Sequence, residues 1–233
     1  MAGVRDVVAR LEALDAELSD DDGVKWFNKL YLETTRHVAA FDESGAQAAP
    51  GFLARLDVAF ADAYFAALAA AGDGAELPPD YPFHAWKPLF EARREREIAP
   101  IQFALAGMNA HINHDLAVGI CAVCVERDVE PSVDSAEHTD YEAVNGLIAE
   151  TEAETKAWML TDLLAELDRA FNPVDDIVAI WSIEAAREVA WTRASVLWHL
   201  RDVPFLRDEY LRANDRSVGL TSRAMLVPVG LAD

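Results

Sequence analysis

A chain of 233 residues, 52% apolar and 26% charged, can build one large core and has none of the composition of a disordered chain. Its formal net charge of −21 opposes any extended contact with nucleic acid or an anionic membrane. The N-terminal residues show no basic stretch followed by a long apolar one, apolar runs break well short of the ~18 residues of a membrane span, and two cysteines make no disulfide framework, so a cytoplasmic protein without signal peptide or membrane segment is expected.

In chain order, Val4, Val7, Val8, Leu11 and Leu14 form one helical stripe over residues 4–18. Ser19 and Asp20-Asp21-Asp22 suit the start of a second helix, because carboxylates favour the positive end of the helix dipole. That helix runs to about Phe41 and buries Phe27, Leu30, Tyr31, Thr34 and Val38. Pro50-Gly51 opens a third helix, to about Ala71, which Gly72 and Gly74 end. Residues 73–85 are a proline-rich loop with aromatics and His84, readable as a lid or as a segment packed on the bundle. A short helix follows over 87–97, where the mixed-sign run Glu91–Glu97 reads as a solvated face.

Pro100 begins a central helix over 99–126. Thr139 and Glu142 have capping-box spacing and start a helix to about Ala170. Asn172-Pro173 starts another, to about Leu200, and Pro204 a last one, to about Ala213. The tail beyond has no clear pattern. No segment alternates with period two and no repeat is visible, so the expected fold is a single all-α domain over 1–233. Its architecture is a multi-helix bundle of about seven or eight helices around the buried central one.

The central helix is apolar on all sides, which implies burial. It nevertheless carries Asn109, His111, Asn113, His114 and Asp115. A polar group in a core costs a few kcal/mol unless it has a partner. At about 100° per residue, His111 and Asp115 share a face, with His114 on its flank and Ala104, Gly107 and Met108 continuing it. Gly107 and Ala104 are expected to leave room beside the imidazoles. Asn109 and Asn113 point the other way. Three readings stand side by side: a structural tie between helices, an acid–base or ligand pocket with His111 oriented by Asp115, and a metal site using His111 and Asp115 as two ligands one turn apart.

Candidate partners lie elsewhere. Trp181, Glu184, Glu188, Trp191, Ser195 and Trp198 share a broad face of the 173–200 helix, with Arg187 at its margin. Trp191 and Trp198 could wall a pocket, Arg187 or Glu184 could supply charge, and Arg187 could instead neutralise Asp115. Glu184 or Asp140 could complete a metal site. Tyr31, His84 and Asn145 are further candidates for contact with a ligand. Cys121-Ala-Val-Cys124 lies deep in a helix rather than at a helix N-terminus, so small core residues are the expected reading. Phosphate-binding glycine loops, nucleophile elbows and metalloprotease helices are absent from the sequence.

The stretch Ala106-Gly-Met-Asn-Ala-His-Ile-Asn-His-Asp-Leu116 resembles the signature of an uncharacterised bacterial all-helical family, domain of unknown function 5995. Arg187-Glu-Val-Ala-Trp191 is similar to a second block of it. The resemblance implies a fold built around this helix and supplies no activity. His-x-x-x-Asp on a helix has a looser similarity to zinc-dependent phospholipases C and single-strand nucleases, but the chain lacks their secretory signal and their number of placed histidines.

The leading expectation is an enzyme acting on a small, largely apolar organic molecule inside the bundle. His111 is the acid or base, Asp115 its orienting partner, and His114 an assistant. The alternatives are a hydrolase or oxygenase dependent on a divalent metal, and a non-catalytic binding or scaffold protein. No cofactor and no oligomeric state is assigned.

Overall fold

A computed structural model describes residues 3–72, 76–146 and 183–228. They form an all-α, multi-helix bundle, with no strand among the described residues. Helix α1 (Val4–Glu17) buries Val4, Val7 and Leu11, the stripe that the apolar spacing predicts. Asp22 caps α2 (Gly23–Glu43) by accepting the N–H of Val24 at 3.0 Å. The same carboxylate binds Arg93 Nη2 at 2.6 Å, and the Gly23 N–H meets the Arg93 carbonyl at 2.7 Å. These bonds explain why α4 (Lys87–Ala92) stops short of residue 97: Arg93 and its neighbours turn to hold the start of α2.

Helix α3 spans Phe52–Ala71 and ends at Gly72, whose φ of 64° only glycine adopts without strain. The central helix runs over the expected length in three parts. These are α5 (Pro100–Ala110), a π turn (His111–Asp115) and α6 (Leu116–Arg127). Residues 136–146 form α7, Ile183–His199 α8, and Pro204–Met225 α9. The start of the expected 173–200 helix, with Trp181, lies outside the described residues, as does the far end of the 139–170 helix.

Two expectations need correction. Thr139 is not the cap of α7; it lies inside the helix and its hydroxyl bonds the Ser135 carbonyl. Ser135 is the cap, its hydroxyl accepting the His138 N–H at 3.1 Å. The last helix continues twelve residues past 213, to Met225. Asp215, Val218, Gly219, Ser222 and Met225 make a buried stripe there, which the polar run Asn214–Ser217 conceals in the sequence.

The bundle holds two apolar clusters. Phe27, Tyr64, Trp86, Leu89 and the first half of the central helix form one. Phe52, Leu56, Tyr141, Trp191 and the second half form the other. Phe60 and Met108 pack against both, so the π turn falls where the two cores meet. The described part of the 73–85 loop packs on the bundle. Tyr81 is buried, with its hydroxyl on the Ala67 carbonyl at 3.0 Å, and the adjoining Trp86 is fully buried.

Glycine permits two close approaches. A Cβ on Gly107 would lie 2.4 Å from Phe27 Cγ, so the expected room beside the imidazoles is filled by the Phe27 ring. A Cβ on Gly219 would lie 2.2 Å from the His84 carbonyl oxygen. In a solvent-facing helix Gly→Ala stabilises by about 1 kcal/mol. Here the clash is with backbone, and Gly219→Ala is expected to lower stability by about 1–3 kcal/mol in urea unfolding.

Candidate functional site

The site begins with a buried carboxylate. Asp115 is 4% exposed and accepts three N–H donors: Trp86 Nε1 at 2.9 Å and His111 Nδ1 at 3.0 Å on Oδ2, and His114 Nδ1 at 2.9 Å on Oδ1. The π turn makes this possible. The Leu116 N–H reaches the His111 carbonyl five residues back, which widens the turn and lets His111 and His114 approach the same carboxylate. Burial raises the cost of the Asp115 charge, but the bonds from His111 and His114 outweigh it and hold the carboxyl below its ordinary value.

A carboxylate only accepts, so both imidazoles present Nδ1–H to it. Burial depresses the His111 pKa despite Asp115, so this ring is neutral at pH 7 and its Nε2 carries a lone pair. For His114, burial is outweighed by Asp115 and then Asp215, and its pKa is raised. His114 Nε2 lies 3.9 Å from Asp215 Oδ1, and Asp215 also accepts the backbone N–H groups of His84 and Ala85. The His114 side of the cluster therefore faces α9 and the Trp86 loop.

His111 faces the other way. Its ring stacks on Phe60, with centroids 3.4 Å apart and planes 7° from parallel, and Tyr31 meets it edge-on at 4.6 Å. All three line a cavity of about 90 Å³ between α2, α3, the central helix, α7 and the start of α8. Its wall is otherwise chiefly apolar, including Leu30, Val38, Leu56, Met108 and Val144. Three wall residues each hold one buried polar atom without a hydrogen-bond partner: His111 Nε2, Tyr31 Oη and Asp57 Oδ2. Burial, reinforced by Asp42, pushes the Asp57 carboxyl up to about 8. Burial and the proximity of Asp57 likewise raise the Tyr31 hydroxyl, against a smaller lowering by its contact with Thr35.

The structure gathers some predicted site residues and separates others. His111, Tyr31 and Arg187 share the cavity, and Asp115 stands directly behind His111. Arg187 does not bind Asp115. Its Nη2 donates to the Tyr141 carbonyl at 2.7 Å, its Nε to Asn145 Oδ1 at 2.6 Å, and its guanidinium lies over the Tyr141 ring. Asn145 thus positions Arg187 from outside the wall.

Trp191 and Trp198 are buried but are not wall residues. Trp191 packs with Tyr141, His138 and Phe52, and Trp198 lies under Arg201. Glu184 and the His84 side chain are exposed. Asp140 accepts the Ala48 and Ala49 N–H groups at 2.7 Å. Among the described residues no three His, Cys, Asp or Glu side chains are placed to hold a metal ion. Cys124 is buried, with its thiol pushed up to about 12, as suits a core residue. Asn109 donates to the Val218 carbonyl and Ser222 Oγ, and the Asn113 carbonyl accepts Arg193 and Asn214, so the two asparagines tie helices together.

Three residues at the site, Asp57, Phe60 and Trp86, are not among those the sequence singles out. Asp57 does carry a signal, an acidic residue on the apolar face of α3 one turn before Phe60. Its chemistry gives a stability test. The folded protein keeps a proton on Asp57 that the unfolded chain releases above an ordinary carboxylate pKa. Between that value and about 8, rising pH therefore lowers stability, by up to ~1.4 kcal/mol per pH unit. Asp57→Asn should flatten this fall in chemical-denaturation series run from pH 4 to 8.

No curated protein and no solved structure matches the chain. Among the described residues no helix is long and apolar enough to cross a membrane. One family pattern, described as a family of unknown function (DUF5995), matches residues 4–228. The match covers nearly the whole chain, including the π turn, Asp57 and Arg187, and the chain belongs to that family.

Proposed function

We propose that the protein is an enzyme that takes a small, largely apolar organic molecule into the cavity and works on it by acid–base chemistry at His111. One observation carries this reading: the buried, unpartnered Nε2 of a neutral imidazole in the wall of an apolar cavity, with the opposite nitrogen fixed by a carboxylate. Asp115 sets the tautomer and stabilises the imidazolium that forms when Nε2 takes a proton. The Phe60 stack holds the ring plane, and the chiefly apolar wall strengthens the electrostatic interactions on which the proton transfer depends. His114 keeps Asp115 in its charged form from the far side.

A metal-dependent alternative is less well supported, since Glu184 and Asp140 are engaged or exposed away from His111. The cavity is also a better match to an apolar ligand than the tryptophan face of α8, which packs inside the second core.

The test is turnover of a panel of small hydrophobic compounds by wild type and by His111→Gln and Asp115→Asn variants shown to be folded by circular dichroism. His111→Gln should lower turnover by roughly 10²–10⁴-fold, the usual share of a positioned acid or base. Asp115→Asn should lower it as well by reversing the tautomer. Turnover that survives His111→Gln would reject the proposal. The acid limb of the wild-type pH profile should fall below the ordinary histidine value of 6.5, because burial depresses this imidazole.

A further inference from the structure

We infer that Tyr31 and Asp57 form a two-donor oxyanion hole beside His111, and that the compound taken up is an uncharged apolar carbonyl compound from which His111 removes the proton on the carbon next to the carbonyl. This rests on the acid–base reading above and names its substrate class and two further catalytic residues.

The geometry places the three groups together. Tyr31 on α2 lies against the His111 ring at 4.6 Å and against Phe60 at 5.7 Å. Asp57 is one helical turn before Phe60 on α3, and Phe60 stacks on His111. All four residues belong to one cavity wall. Asp15, Asn28, Tyr64, Glu142 and Trp191 also each bury one polar atom without a partner, but those residues lie outside the wall, and among the described residues only around the cavity do three such residues meet. Around this wall two oxygens and one nitrogen are buried without a well-formed hydrogen bond, the Tyr31 hydroxyl having only Thr35 nearby.

Their protonation says what they want. Tyr31 remains a phenol and Asp57 a carboxylic acid at neutral pH, because burial disfavours both charged forms. Each then presents an O–H donor, as a carboxylic acid kept neutral by an apolar site does. A ligand oxygen with two lone pairs, a carbonyl, accepts both. His111 Nε2 accepts and has no proton to give, so the ligand must supply one. A carbonyl compound with an adjacent C–H meets both demands. An uncharged ligand also suits a chain of net charge −21.

The step balances without a co-reactant. His111 Nε2 takes the proton, the C–H electron pair becomes a carbon–carbon double bond, and the carbonyl π pair moves to oxygen. Tyr31 and Asp57 hold that oxyanion. Where the compound has a carbon–carbon double bond one carbon further on, the enolate extends into a dienolate, and return of the proton from His111 to the far carbon re-forms the carbonyl and the neutral imidazole with the double bond moved into conjugation. The net reaction is an isomerisation.

The probe is 4-nitrophenol, a planar apolar molecule whose oxygen stands for the enolate and whose absorbance reports binding; toluene, followed by calorimetry, is the oxygen-free control. Wild type should bind 4-nitrophenol saturably. Tyr31→Phe and Asp57→Leu should each weaken it tenfold or more while changing toluene binding less than threefold. Asp57→Asn keeps a donor and should stay within a few-fold of wild type. Because the Tyr31 hydroxyl is buried with no well-formed bond and only Thr35 nearby, Tyr31→Phe should leave the melting temperature unchanged or raise it. The inference is overturned by no saturable binding in wild type, by indifference to both donor substitutions, by parallel loss of toluene, or by a melting temperature several degrees lower. Failure of the base reading shows separately, as turnover that survives His111→Gln.

Discussion

The charge on Asp115 is the constraint around which the site is organised. A carboxylate buried in a helical core costs several kcal/mol unless donors surround it. Three do: an indole from the loop before α4 and two imidazoles from its own π turn. Each donor commits its residue. Trp86 is drawn into the core, which anchors a loop rich in proline. His114 turns its Nε2 toward Asp215, which in turn satisfies the backbone N–H groups of His84 and Ala85. Loop, central helix and α9 are therefore joined through one polar chain inside an apolar bundle. His111 receives the remaining bond, and that bond decides its chemistry: with Nδ1 committed as donor, only Nε2 remains for anything else.

The π turn and the cavity share one origin. An α-helix places residues i and i+4 on one face but cannot bring residue i+3 onto the same carboxylate as closely. One extra residue in the turn does so, at the expense of regular hydrogen bonding. The irregularity falls where the two apolar clusters meet and where Phe60 and Met108 serve both. Interiors elsewhere close to near-crystalline density by interdigitating side chains. At this junction the faces of α2, α3 and the central helix leave a space instead, and α7 and α8 complete its wall with Tyr141, Val144 and Arg187. Arg187 is held by Tyr141 and Asn145, so it lines the space without quenching Asp115.

Much of this was legible in the chain. The all-round apolarity of 99–126 marks a buried helix, and a His and an Asp at i, i+4 within it demand a partner. That reasoning reaches His111 and Asp115 and the bond between them. It misses the π turn, because a local change of helical pitch leaves no compositional trace, and it therefore puts His114 on the flank rather than on Asp115. It is less successful with the cavity wall: Trp191 and Trp198, candidates to line a pocket, are core residues, while beside Tyr31 the cavity is lined by Asp57 and Phe60 on a helix whose periodicity is ordinary. Which of two apolar faces packs tightly is a property of tertiary fit and is not written in either helix alone. The long final helix was hidden for a related reason: Asp215 reads as a surface residue until its backbone partners in the loop before α4 are known.

The unpartnered atoms bear on why this core is built as it is. A buried polar atom left without a bond costs about 1–3 kcal/mol. Three of them around one cavity weigh heavily against a total stability of roughly 5–15 kcal/mol for a domain. Phenylalanine at 31 and leucine at 57 would fill similar volumes without that cost. The Asp115 network closes without either oxygen. A ligand that satisfies the three atoms at once relieves the cost on binding, and its affinity then comes from groups the protein holds ready rather than from rearrangement. The same readiness is what stabilises charge as it develops on a reacting oxygen, because donors already in place need no reorganisation during the reaction.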